Sequence, residues 1–157
     1  MYRSMIEKST NKSIVLGTVI VLIIAFMALS ACNAFSALID ISDISSSISE
    51  YYVVYKSERG FGNDRFDIYS FSLEQPDDLD GFIEIDREFD KYSRNFITMI
   101  ESIFADDHTE SEAVKVEINS IIEAKDGRYM HLSSNGSEKL YMYSPKLNQG
   151  YCFILVI

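Results

Sequence analysis

RYMHLSSNGSEKLYMYSPKLNQGYCFILVI, residues 128–157, decides the fold. Arg128–Ser133 and Glu138–Tyr143 are rich in β-forming residues and flank Asn135-Gly136. That dipeptide readily supplies the positive φ angles of a two-residue hairpin turn, so a hairpin is predicted here. Ser144–Gly150 (SPKLNQG) turns the chain again into Tyr151–Ile157, an uninterrupted apolar run. Such a run on a sheet edge invites edge-to-edge association. It is therefore expected inside the sheet, with Cys152 as a buried apolar residue.

The pattern extends towards the N-terminus. Tyr51–Tyr55 (YYVVY) is dense in strand-forming residues, and Gly60–Asp64 (GFGND) supplies residues that tolerate a tight turn. Arg65–Leu73 (RFDIYSFSL) completes a first hairpin. Pro76–Gly81 breaks the pattern. Beyond it, Phe82, Ile85, Phe89, Tyr92, Phe96, Ile100 and Ile103 recur at spacings of three and four, predicting a long amphipathic helix with Asp78 or Asp80 as its cap. Asp106–Glu112 reads as a charged loop. Val114, Ile118, Ile121 and Ile122 fit a shorter helix, although Val114–Ile118 also alternates like a strand. The order β-β-α-α-β-β-β predicts an α+β domain, with a mainly antiparallel sheet of about five strands packed by one long and one short helix.

The start of the chain has a different character. Met1–Ser13 carries Arg3, Lys8 and Lys12 against Glu7, and Ile14–Ala31 contains no charge. Ile14–Ala28 has the length of a signal-peptide apolar core, and it leads into Leu29, Ser30, Ala31 and Cys32. This leucine–small–small–cysteine pattern resembles a bacterial lipobox, which implies acylation of Cys32 and cleavage before it. A second reading stays open, because no charge occurs until Asp40. An uncleaved helix over Ile14–Ile39 would span roughly 39 Å at ~1.5 Å per residue, enough for a hydrocarbon core of ~30 Å. Lys and Arg are retained on the cytoplasmic side, so both readings place the rest of the chain outside the cell membrane. The predicted division is 1–32 signal peptide or transmembrane anchor, 33–49 tether and 50–157 extracytoplasmic domain; the Ser-rich Asp40–Ser49 (DISDISSSIS) also reads as a short continuation of the anchor helix through Ile41, Ile44 and Ile48.

Charge then excludes some partners. The whole chain is formally −10, but residues 33–157 hold eleven basic and twenty-three acidic side chains, about −12. Nucleic acid is a poor partner for this charge, since binding it needs Lys and Arg to displace counterions. The roughly 110 residues after the tether suffice for one modest core, to which ten Phe and ten Tyr bring large apolar area.

No familiar catalytic constellation is present in the sequence. Asp78-Leu79-Asp80-Gly81 resembles part of an EF-hand loop, but Arg87 falls where a bidentate Glu is required. Asp106, Asp107, His108 and Glu110 read as solvated charges rather than a metal site, and His131 as a surface or half-buried strand residue. No Gly-x-Ser-x-Gly elbow occurs. The expectation is a protein without catalysis, cofactor or metal.

Two segments are similar to a pattern in small uncharacterised lipoproteins and membrane-anchored proteins of low-GC Gram-positive bacteria. One is Glu58–Asp64 (ERGFGND) before an aromatic strand. The other is the terminal hairpin, Asp126–Tyr129, Lys139–Tyr143 and Asn148–Phe153. The resemblance implies an export-and-anchor layout and no particular activity. The function expected is a membrane-anchored extracytoplasmic binding or accessory module that contacts an envelope or secreted protein, with Phe61, Asp64, Tyr141 and Tyr143 as its interaction surface. Two alternatives are an extracytoplasmic enzyme using carboxylates such as Asp64 and Asp67, and an immunity-like protein whose acidic surface neutralises a basic toxin.

Overall fold

The computed structural model describes residues 18–22, 38–58, 64–77, 79–104 and 108–157. The chain divides into two compact units, Met1–Asp43 and Ile44–Ile157. In the first, residues 18–22 and 38–40 are helical. No helix among the described residues is long and apolar enough to cross a membrane. Leu29, Ser30, Ala31 and Cys32, and most of the expected anchor, lie outside the described residues.

The second unit is α+β. Following a 3-10 helix at Ser42–Ser47, its elements are β1 (Ile48–Lys56), β2 (Arg65–Leu73), β3 (Ile83–Glu84), α1 (Phe89–Ile103), α2 (His108–Glu123), β4 (Arg128–Ser134), β5 (Ser137–Ser144) and β6 (Gln149–Val156). Six strands form one antiparallel sheet in the order β1-β2-β6-β5-β4-β3. The sixth strand, β3, is two residues long and pairs Ile83 with Tyr129 and Glu84 with Arg128.

The terminal hairpin forms as its turn chemistry dictates. Asn135 and Gly136 have φ of 47° and 79°, and Ser134 pairs with Ser137 directly across them. The next turn places Asn148 at φ 46°. Its side chain accepts from the Leu73 backbone N–H (3.0 Å) and the Tyr143 hydroxyl (2.6 Å), and its amide donates to the Leu73 carbonyl (3.3 Å). In this way Asn148 continues the β2–β6 pairing one step beyond Phe71 and Gly150. Strand β6 lies between β2 and β5, in the sheet interior.

The helices differ from the sequence expectation in both length and start. Phe82 and Ile85 fit the apolar spacing but precede the helix. Gly81 turns the chain at φ +80°, and residues 83–85 run extended beside β4, with the Ile85 N–H donating to the Gly127 carbonyl (3.1 Å). The helix start is stabilised by Asp86 rather than by Asp80, and Asp78 lies outside the described residues. Asp86 Oδ1 accepts from the N–H groups of Glu88 (2.9 Å) and Phe89 (3.3 Å), which would otherwise lack intrahelical partners. The second helix is not short: α2 has 16 residues against 15 in α1, and it takes in part of the expected charged loop.

Both helices bury an apolar stripe on one sheet face. Phe89, Phe96 and Ile100 of α1 and Val114, Ile118 and Ile121 of α2 join Phe66, Ile68, Tyr129, Leu140, Met142, Tyr151 and Phe153 in the core. Aromatic pairs trace α1 across the strands. Phe89 meets Tyr129 of β4 (ring centroids 5.3 Å apart), Phe96 meets Phe153 of β6 (5.7 Å) and Phe66 of β2 (6.1 Å). Phe104, just past the helix, meets Tyr55 of β1 (5.8 Å).

The other face carries Tyr69, Phe71, Tyr141, Tyr143, Cys152 and Ile154, all buried. Gly150 lies where this face is tightest. A β-carbon there would sit 2.4 Å from Phe71 Cζ and 2.8 Å from the Met142 carbonyl oxygen. Phe71 and Tyr143, on the strands either side, stack with centroids 5.8 Å apart. Gly150→Ala should therefore cost about 1–3 kcal/mol through overpacking, read as a lower urea midpoint with unchanged slope. A stabilised variant, the ordinary result of removing a strand glycine, would contradict this crowding.

Candidate binding groove

The residues expected to form an interaction surface do not come together. Phe61 lies outside the described residues. Tyr141 and Tyr143 are fully buried and so cannot contact a partner. Both rings face Phe82, at 6.3 and 6.4 Å, and Phe71, at 6.2 and 5.8 Å. Burial of both faces of β5 is the physical reason. A strand paired on both sides and covered on both faces presents its aromatic side chains to the core, not to solvent.

Asp64 is exposed, at the rim of an open groove of about 600 Å³. Among the described residues the groove is lined by Ser57 beyond β1, by Asp64, Arg65 and Phe66 at the start of β2, by Asn95, Thr98 and Met99 of α1, and by Leu155–Ile157. Register explains the convergence. Arg65 pairs with Val156 and Phe66 with Leu155, so the start of β2 and the end of β6 form one rim beneath the crossing helix. The lining is dominated by apolar atoms, and the volume falls in the range that holds small ligands or a few peptide side chains.

The rim is fixed by a buried carboxylate. Asp67 is 1% exposed and its oxygens are engaged: the Ser57 N–H donates to it (3.3 Å), the Tyr69 hydroxyl donates at 3.5 Å, and the Arg65 guanidinium lies 3.6 Å away. Ser57 Oγ in turn accepts from the Phe66 N–H (2.9 Å). Thus Asp67 anchors the β1–β2 end while Asp64 faces solvent, and the two do not form a carboxylate pair. Among the described residues no group of three His, Cys, Asp or Glu side chains is placed to hold a metal ion.

Other polar clusters brace the fold. The Tyr151 hydroxyl donates to Glu117 of α2, which also accepts from Gln149 Nε2 (2.7 Å). Burial and then the Glu117 carboxylate push the Tyr151 phenol far above its ordinary value. Burial, reinforced by Asp77 and Asp126, pushes Tyr143 up to about 12. A raised phenol favours the folded state below the unfolded value near 10 and loses that contribution as pH rises through the folded value. Asp126 accepts from the Lys146 N–H (2.7 Å) and Ser144 Oγ (3.3 Å), closing the β5–β6 turn.

The groove's main contributors, Asn95, Thr98, Met99 and Leu155–Ile157, carry no site motif in the sequence. The apolar end of β6 was the only signal available, and it read as core. The chain matches no protein-family model, and no curated protein and no solved structure is similar to it.

His131 is a half-buried strand residue, as its place in the hairpin suggests. Its ring stacks on Tyr92 with centroids 4.0 Å apart, and its buried Nε2 has no hydrogen-bond partner among the described residues. His131→Phe keeps the stack and removes the orphan polar atom. It should raise stability by about 1 kcal/mol, measured by chemical unfolding of the full chain; a clear loss of stability would show that the imidazole is needed.

Proposed function

We propose that the chain is a membrane-anchored, extracytoplasmic binding or accessory module, held by an acylated Cys32 or by an uncleaved helix over Ile14–Ile39. The observation that carries the anchor is the state of Val19–Leu22. These four consecutive helical residues are all 45–65% exposed. Four successive helical positions point to every side of the axis, and an apolar helix uncovered all round is what a lipid environment favours. The weakly basic start before it supports retention of that end on the cytoplasmic side.

Binding rather than catalysis is supported by the groove. It offers apolar area, one exposed carboxylate and an open mouth, and the buried Asp67 is committed to the rim. The envelope or secreted partner proposed for the chain would seat apolar side chains there, where removing them from water contributes about 25 cal/mol per Å².

The test uses the full chain in a Gram-positive host. Wild type should sediment with membranes, with its folded part open to protease added outside. Cys32→Ala should release it if acylation holds it and leave it in place if the helix does. Recovery of wild type as a soluble cytosolic protein would sink the anchor. A photo-crosslinking residue at Thr98 should give a discrete adduct that the same residue at Lys125 does not. Identical adduct patterns from both positions would remove the groove from the account.

A further inference from the structure

The groove's electrostatic setting narrows its partner. Of the two charged side chains that line it among the described residues, Arg65 already faces the buried Asp67 carboxylate at 3.6 Å. Asp64 is the exposed one, and the α1 side of the groove contributes neutral Asn95 and Thr98 with Met99. The mouth is therefore apolar with a negative rim, set in a region carrying about −12 from residue 33 onwards.

That charge decides among occupants. A second copy would bring a similarly acidic body against this one, and like charge over a whole surface opposes association. An anionic lipid headgroup is repelled for the same reason. A cationic segment gains from the field at long range and from Asp64 at contact, and complementary potentials of this kind raise association rates. The apolar lining rewards bulky aliphatic or aromatic side chains between its charges, and the open mouth suits an extended peptide.

Resting on the proposed binding role, we infer that this groove takes a basic segment of a partner protein, with apolar side chains against Phe66, Met99 and Leu155 and a Lys or Arg beside Asp64. Asn95 is placed to hydrogen-bond the segment's backbone from the helix side, and Thr98, whose hydroxyl donates to the Arg94 carbonyl (3.1 Å), is left to accept. The secreted or envelope partner would then be recognised by alternating basic and bulky apolar residues, and its capture would weaken with salt.

The experiment uses full chain in neutral detergent, labelled at its methionine methyl groups, and the peptide acetyl-Lys-Phe-Leu-Ile-Lys-amide. A peptide with Glu for both Lys is the control. The Met99 methyl resonance should move with the basic peptide and not with the acidic one. Asp64→Lys should weaken the basic peptide about threefold to tenfold, as expected for exposed charges, and Thr98→Trp should abolish the shift by filling the groove. Both substitutions replace exposed side chains, and unchanged Met130 and Met142 resonances would show that the core is intact. Equal response to both peptides, or shifts at other methyls with Met99 unmoved, overturns the basic-segment inference. A Thr98-specific crosslinked partner whose bound segment proves acidic would also overturn it while leaving the binding-module reading standing.

Discussion

Everything in the folded unit depends on the pairing of β2 with β6. The first hairpin, β1–β2, and the terminal strands β4–β6 are local structures, each closed by a short connection. They become one sheet only where Arg65–Phe71 aligns with Gly150–Val156, a contact between segments some eighty to ninety residues apart. Closing so long a loop costs entropy that the pairing must offset. The offset comes from two buried faces at once. Ile68 and Phe153 face the helices, while Tyr69, Cys152 and Ile154 are buried opposite. The register has independent guards: Asn148 bonds the Leu73 backbone at one end, and Gly150 leaves room for the Phe71 ring. A one-residue slip would remove both and reverse the sheet faces.

The groove is a consequence of that constraint. Its rim is the Arg65–Val156 and Phe66–Leu155 end of the same pairing, and its opposite side is α1, which is packed on the same two strands through Phe96. Asp67 ties the rim to Ser57 at the end of β1. Binding and stability are thus coupled through shared residues. Damage to the β2–β6 core would distort the groove, whereas changes at exposed Asp64 or Thr98 alter its chemistry and leave the scaffold in place. The proposed division of labour is an apolar start that holds the chain at a membrane and an acidic unit that presents a preformed groove.

Much of the scaffold was legible because local chemistry and tertiary structure agree. Asn135-Gly136 adopts the turn its residues favour, and Tyr151–Ile157 reads as interior and enters the sheet between two partners. The first turn of α1 was misread because Phe82 and Ile85 satisfy a helical period by accident. They follow Gly81 and precede the Asp86 cap, and the chain between them pairs with β4 instead. Around Val114–Ile118 two periods competed, and the stripe through Ile121 identifies the one the core uses. Tyr141 and Tyr143 were misassigned to the surface although Leu140–Tyr143 is a continuous apolar run, the pattern of a strand buried on both faces. The groove was illegible, since it joins three distant segments whose convergence only the sheet order reveals.

The most direct test of the central claim is hydrogen exchange of the full chain, resolved to individual backbone amides. If the β2–β6 pairing holds the unit together, amides of Ile68–Phe71 and Tyr151–Leu155 should share the slowest exchange, opening only when the helices and β5 open with them. Rapid exchange through β1 and β2 while β4–β6 stay protected would contradict it. That result would describe a terminal sheet that stands without its first hairpin.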